Sequence, residues 1–245
     1  MRYATTRAVV LSSRPLGEAD RWLTLFTREQ GKIDAVVKGV RRTSSRWGGR
    51  LEPFNVCDLV LYRGRSRATV TSAQLVDVFR HLREDREALT AAAVGCEAAA
   101  LLFAEGEPEE RVFALLRTAL REIDAGFEGP AGRAPLVLGL LVKLLYEAGY
   151  LPVLEHCASC GSGGRALGFS AARGGLVCGD CAGEAVPITP EAIDALTEAI
   201  ARPLAELREQ PASAATGEAL RDVHQLYAYH TGSRLRALRI AAGMG

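Results

Sequence analysis

Arg21-Trp22-Leu23-Thr24-Leu25-Phe26-Thr27, then Glu29-Gln30-Gly31-Lys32, then Ile33-Asp34-Ala35-Val36-Val37 is the stretch on which the fold turns. Its two flanking runs are rich in β-branched, aromatic and aliphatic residues, and the segment between them holds a turn-forming glycine, so it reads as two strands joined tightly. A similar run precedes it, Arg7-Ala8-Val9-Val10-Leu11. Two more follow, Phe54 to Tyr62 and Ala68 to Val78, separated by the basic turn Arg63-Gly64-Arg65-Ser66-Arg67. Five strands with turn signals at short intervals predict a small closed barrel. An SH3-like barrel competes, but the long third connection, Gly39 to Pro53, and a total of about 80 residues favour a five-stranded OB barrel.

After Phe79 the period changes from strand to helix. Glu87 to Phe103 is an Ala, Leu and Val run closed by Glu105-Gly106, and Pro108-Glu109-Glu110 opens the next helix with a proline and two acids suited to a first turn. Val112, Leu115, Leu116, Ala119, Leu120 and Ile123 recur at helical spacing. Leu136 to Ala148 is apolar nearly all round, the pattern of a buried central helix. Thr189 stands as an N-cap before Pro190, Pro203 is expected to stop or kink the helix that follows, Pro211 to Ala215 reads as a short linker, and Gly217 to Arg239 as a last helix. The expected class is α+β: an OB-fold barrel over residues 1–80, helical segments over 81–156 and 188–245, and a cysteine module over 157–187.

That module rests on Cys157-Ala158-Ser159-Cys160 and Cys178-Gly179-Asp180-Cys181, two CxxC pairs with 17 residues between them. The spacing is that of a zinc site: each pair is a tight turn aiming two thiolates at one point, and the intervening loop brings the pairs together. Redox pairs or disulfides are the rival reading, disfavoured by this spacing in a reducing compartment. Four sulfur ligands leave no position for water, so one structural Zn2+ per chain is expected. His156 is a competing ligand by position but reads as a surface residue, and Cys57 and Cys96 as small core residues.

The 245 residues are 48% hydrophobic and 24% charged, an ordinary globular mixture. Leu136 to Leu145, the longest apolar stretch, is interrupted by Gly139 and Lys143 and is about half the ~20 residues that span a bilayer. The first residues lack the pattern of a signal peptide, so a cytoplasmic protein is expected, with no membrane partner. The net charge of +1 conceals an asymmetry: residues 1–80 carry 15 Lys+Arg against 7 Asp+Glu, and residues 81–245 carry 15 against 22. A basic third joined to an acidic remainder points to an anionic partner for the barrel, the alternative being a solvated basic face.

No enzyme motif emerges. Gly31-Lys32 lacks the Walker spacing, Phe26 standing where the first glycine belongs; GxGxxG and HExxH do not occur; Gly168-Phe169-Ser170-Ala171-Ala172 lacks the final glycine of a nucleophile elbow. His81, His156, His224 and His230 form no constellation with a nucleophile, and His224 and His230 read as helix-surface residues. No catalytic residue is nominated and a binding protein is expected.

The cations of the barrel fall mostly in its connections. Arg14 lies between the first two strands and Arg21 begins the second; Lys38, Arg41, Arg42, Arg46 and Arg50 belong to the long third connection; Arg63, Arg65 and Arg67 form the last hairpin; Lys32 follows the turn glycine. OB barrels hold nucleic-acid strands across their second and third strands between such loops, with aromatic rings for bases to stack on. Trp47, within the basic loop, is either such a platform or a plug for a barrel end, whereas Trp22 in mid-strand reads as core. Arg234, Arg236 and Arg239 add a local basic strip near the end of an otherwise acidic portion.

Ser13-Arg14-Pro15-Leu16-Gly17-Glu18-Ala19-Asp20, Leu23-Thr24-Leu25-Phe26-Thr27, Gly31-Lys32, Gly39-Val40-Arg41-Arg42, Leu51-Glu52-Pro53-Phe54, the helix from Leu140 to Gly149 and Cys157-Ala158-Ser159-Cys160-Gly161 together resemble the RecO family of recombination mediators. The resemblance runs in order over nearly the whole chain. It implies an OB domain followed by a helical domain, with a four-cysteine zinc module as in some members, and no enzymatic activity. It implies binding to single- and double-stranded DNA, annealing of complementary strands, work with RecR, contact with single-stranded-DNA-binding protein and, indirectly, loading of RecA. Arg14, Arg21, Lys32, Arg41 and Arg42 fall on the family pattern, whereas Lys38, Arg46, Trp47, Arg50, Arg63, Arg65 and Arg67 are nominated on charge and placement. A zinc-containing OB-fold protein that binds RNA or acts in transcription is the alternative.

Overall fold

The five strands expected from the sequence form, each with one alternating set of side chains turned into the barrel. They are β1 (Tyr3–Leu16), β2 (Asp20–Thr27), β3 (Gly31–Val37), β4 (Val56–Arg63) and β5 (Ala68–Asp77) in a computed structural model that describes residues 2–40, 47, 49–64, 67–127, 133–163 and 166–241. Their order around the barrel is β1-β2-β3-β5-β4, closing on β1, which is the OB topology. β1 runs further than its apolar residues suggested. Its first half pairs with β4, from Tyr3↔Tyr62 to Val9↔Val56, and its second with β2, ending at Leu16↔Asp20. A register shift between Val10 and Ser12 bends the strand from one partner to the other. The seam between β3 and β5 is shorter, two parallel pairs at Ala35↔Ala68 and Val36↔Thr69.

The chain divides into two units, Met1–Ala125 and Gly126–Gly245. In the first, Ala8, Val10, Leu23, Leu25, Cys57 and Leu59 fill the barrel. Val9 and Phe26 alternate with these and point outward, yet are fully buried: α2 (Arg86–Leu102) and α3 (Glu110–Asp124) pack against β1, and α1 (His81–Glu84) packs on those two helices. Burial on both faces is why β1 reads as an unbroken apolar run. Phe26 meets Phe103 edge-on at 5.7 Å. Asp85 caps α2 through the N–H groups of Glu87 and Ala88. Arg28 pairs with Glu110, and Arg117 and Arg121 both reach Asp77, at 2.5 and 3.0 Å. Gly31 has a φ of 62°, and a Cβ there would run into the carbonyl of Glu107, so the turn opening β3 needs a glycine twice over.

In the second unit α4 (Ala134–Glu147) is the central helix, every side chain from Pro135 to Leu145 buried except Lys143. The Lys143 ammonium donates to the carbonyls of Ala199 and Ile200 at 2.8 and 2.9 Å, capping the end of a neighbouring helix. Beyond α4 come β6 (Ala166–Ser170), β7 (Gly175–Cys178) and β8 (Val186–Pro187), a small antiparallel sheet in the order β7-β6-β8. Then follow α5 (Pro190–Ala201), α6 (Leu204–Glu209), α7 (Ala214–Thr231) and α8 (Arg236–Ala241). Thr189 caps α5 as expected, accepting from Ala192 at 3.3 Å, and α5 stops before Pro203. Two boundaries differ from the sequence reading. Ser213 accepts from Thr216 at 3.1 Å, so the expected linker is the capped start of α7; and Gly232, left-handed at φ 65°, ends α7 and separates α8. The Tyr227 hydroxyl, fully buried, donates to the carbonyl of Leu141 at 3.0 Å and ties α7 to α4. Among the described residues no helix is long and apolar enough to cross a membrane.

Candidate nucleic-acid interface and metal centre

The two tryptophans take opposite places. Leu23 and Leu25 point into the barrel, so Trp22 beside them points out, half-buried on the face of β2. Trp22 is therefore not core, as its mid-strand position had suggested. The guanidinium carbon of Arg14, its cross-strand partner on β1, lies 4.9 Å from the ring centroid, and that of Arg67 4.3 Å. Both are close enough for cation–π attraction. Beside the ring lies a groove of about 370 Å³ lined by Trp22, Gln30, Asp34, Arg63, Arg67 and Glu105. Asp34 accepts from Thr24 at 2.8 Å, and Arg63 donates to Gln30 at 2.6 Å. The groove is therefore lined by two arginines together with the acceptors of Asp34, Gln30 and Glu105.

Trp47 takes the second of its two roles. It is 5% exposed, packs into the barrel core and donates its indole N–H to the carbonyl of Lys38 at 3.1 Å, so it is a plug and not a stacking platform. Lys32 also departs from the expectation: its ammonium donates at 2.7 Å to the carbonyl of Ala100 in the last turn of α2, where the helix dipole favours a cation, and it is turned to the helices instead of outward. Arg21 is held half-buried by Ser13 and by an ion pair with Glu52 at 3.3 Å. Arg14, Lys38, Arg50, Arg63 and Arg67 are exposed, Arg50 donating to the carbonyl of Trp47 at 3.0 Å. Arg41, Arg42, Arg46 and Arg65 lie outside the described residues.

Asn55 organises the loop from Gly49 to Phe54. Its amide donates to the carbonyls of Gly49 and Arg50, at 2.9 and 3.1 Å, and its oxygen accepts from Arg83 at 2.8 Å. The sequence offered no signal for this beyond a polar residue at the start of an apolar run.

The four cysteines converge. Their sulfur atoms all lie within 4.8 Å of one another, and those of Cys160 and Cys178 are 3.8 Å apart. A tetrahedron of sulfurs about 2.3 Å from a central ion has edges of ~3.8 Å, so the thiols fit a four-coordinate metal. Gly161, left-handed at φ 74°, donates to the carbonyl of Cys157 at 2.8 Å and closes the first knuckle. The backbone N–H of Cys178 donates to the Cys157 sulfur at 3.4 Å, linking the second pair to the first. Such N–H donors pull the Cys157 thiol down to about 6, while bonding to Cys160 and Cys178 pushes Cys181 up to about 12. Thiols this close do not all ionise without a cation to offset their repulsion. His156 is exposed and outside the cluster. Cys57 and Cys96 are buried apart from it, and burial pushes each thiol up to about 12.

A five-stranded OB barrel with helices packed on one side, followed by a helical unit holding a four-thiol cluster, defines the class of protein. Residues 1–79 match the family model described as Recombination protein O N terminal, and residues 83–239 match Recombination protein O C terminal. The chain is 41% identical over 207 residues to the DNA repair protein RecO of Rubrobacter xylanophilus, covering 82% of each chain. It is 45% identical over 176 residues to that of Frankia casuarinae, covering 71% of each, and 36% identical over 211 residues to that of Pelotomaculum thermopropionicum, covering 84% of this chain and 80% of the relative. The chain belongs to the recombination protein O family.

Proposed function

We propose that this chain is a non-enzymatic DNA-binding mediator of DNA repair and recombination, which binds single and double strands and anneals complementary ones. The observation that carries the reading is Trp22 on the outer face of β2, with Arg14 and Arg67 against its ring and a groove beside it. A base stacks on the indole, displacing a guanidinium that moves to the adjoining phosphate, and the groove acceptors meet base edges without demanding one sequence. Annealing requires that two polyanions approach, and exposed cations lower their repulsion by releasing counterions. No nucleotide hydrolysis enters such a scheme. The four cysteines hold one structural Zn2+. The family resemblance supplies the partners: RecR, single-stranded-DNA-binding protein and, through them, RecA, in the cytoplasm.

Anisotropy titration of labelled single strands against salt tests this. Five exposed cations, Arg14, Lys38, Arg50, Arg63 and Arg67, neutralising about five phosphates give a slope near −3.5 in log K against log salt. Trp22→Ala weakens single strands by roughly tenfold and duplex by less, and Trp22→Phe restores most of the loss. Equal affinity in Trp22→Ala, or an ATP requirement for annealing, overturns the reading. Preference for RNA over DNA of the same length would select the RNA-binding alternative.

A further inference from the structure

α4 ends on a left-handed glycine. Gly149 has a φ of 78°, and the N–H of Tyr150 turns back to the carbonyl of Leu145 at 2.8 Å, fixing the backbone from which the Tyr150 ring projects. That ring lies flat on His230 of α7, centroids 4.0 Å apart and planes 16° from parallel. Tyr229 meets the same imidazole edge-on, at 5.3 Å and 85°. Tyr150 is 41% exposed and Tyr229 57%. Partial burial lowers the pKa of His230, which favours the neutral ring in the stack. Three rings locked together at a surface are a preformed platform whose ordering cost is already met in the free protein.

Charge separates the two kinds of partner such a platform suits. From Val223 to Gly245 the sequence holds Arg234, Arg236 and Arg239 and no acidic residue, within a portion of the chain that is otherwise acidic. Arg234 and Arg236 are exposed. Exposed rings with exposed cations four and six residues beyond His230 along the chain suit the bases and phosphates of a single strand; a closed apolar groove would have suited a peptide. We infer that Tyr150, Tyr229 and His230, with Arg234 and Arg236, form a second stacking site for single-stranded nucleic acid in the helical unit. The inference rests on the reading of the barrel as a strand binder, since annealing gains from holding two strands at once.

The test measures oligo(dT) affinity by anisotropy with the full chain in four forms: unaltered, Arg14→Glu with Arg67→Glu, Tyr150→Ala with Tyr229→Ala, and all four changes together. The barrel pair alone should weaken binding and leave a residue of affinity. Adding the tyrosine changes should cut that residue by roughly tenfold, the loss of about one base stack. Tyr150→Phe with Tyr229→Phe should keep it, because the rings remain. If the barrel pair has no effect, the proposed barrel site fails irrespective of the tyrosines. If the tyrosine changes leave the residual affinity intact, the second site is overturned. It is equally overturned if they spare oligo(dT) binding but abolish annealing of protein-coated strands, which would make the platform a protein-docking surface. Should the double tyrosine variant melt early, Tyr229→Ala alone decides the matter.

Discussion

Trp47 gives its ring to the barrel core and its N–H to Lys38, so Trp47→Ala removes a large buried side chain and orphans a carbonyl. Loss of roughly 3–5 kcal/mol is expected, read as a lowered urea midpoint, with affinity for strands preserved in whatever fraction remains folded. Asp222 offers a second measurement. It is 2% exposed, its Oδ2 has no hydrogen-bond partner among the described residues, and burial, aided by Glu218, raises its pKa to about 7. An unfolded aspartate titrates near ~3.9, so between there and about 7 only the folded chain holds the proton. Stability contributed by this group therefore falls as pH rises across that window and levels off above it. Asp222→Asn should flatten the profile and raise the stability at pH ~8 by up to about 1.4 kcal/mol for each unit the pKa had been raised, read as a higher melting temperature. A residue of this kind is invisible in sequence: an aspartate in an amphipathic helix reads as solvent-facing, and only the packing around α7 buries it. Trp22 was misplaced for a related reason. Both faces of the strand flanking Trp22 are apolar, so alternation alone did not say which side was the core.

Removing a metal-site ligand acts on an element and not on the whole chain. Cys157→Ser should abolish binding of the one zinc expected per chain, measured by metal analysis of purified protein, and loosen β6 and β7. Gly175 abuts the backbone of Val153, with Leu176 donating to the Val153 carbonyl at 2.9 Å, so amides around Val153 should lose exchange protection with the module. The barrel strands, in the other unit, should keep theirs. The spacing of the thiols was fully legible because knuckle geometry is local. Element boundaries were legible where a cap or breaker is strong, as at Thr189 and Pro203, and less so where one residue has two uses. Ser213 among small residues reads as linker until its hydroxyl is seen to cap α7, and the polar Ser12-Ser13 stretch reads as loop although the bulge carries β1 through it.

On the scale of the first unit, the barrel is not free-standing. Phe26, Lys32 and Asp77 all engage residues of α2, α3 or the adjoining turn, and Val9 lies on β1, which α2 and α3 pack against. A fragment ending near residue 80 should expose Val9 and Phe26 and aggregate, whereas one ending at Ala125 should melt cooperatively and retain strand binding; light scattering and thermal melts of the two distinguish them. The outline of the molecule, barrel then helices then thiol module, could be read from periodicity and spacing. The dependence of one on the next could not, since it is written in outward-facing apolar residues whose cover lies far along the chain.

The two-pair seam between β3 and β5 bears on this whole. A closed barrel behaves as a hoop, and a hoop yields at its narrowest weld. Arg67 approaches Trp22 across this part of the wall, so a strand lying on β2 and touching the β4–β5 hairpin spans the weld from outside. If the proposed site holds DNA there, the strand acts as a clasp: on binding, the amides of Ala35, Val36, Ala68 and Thr69 should exchange more slowly, and the barrel as a whole should resist opening.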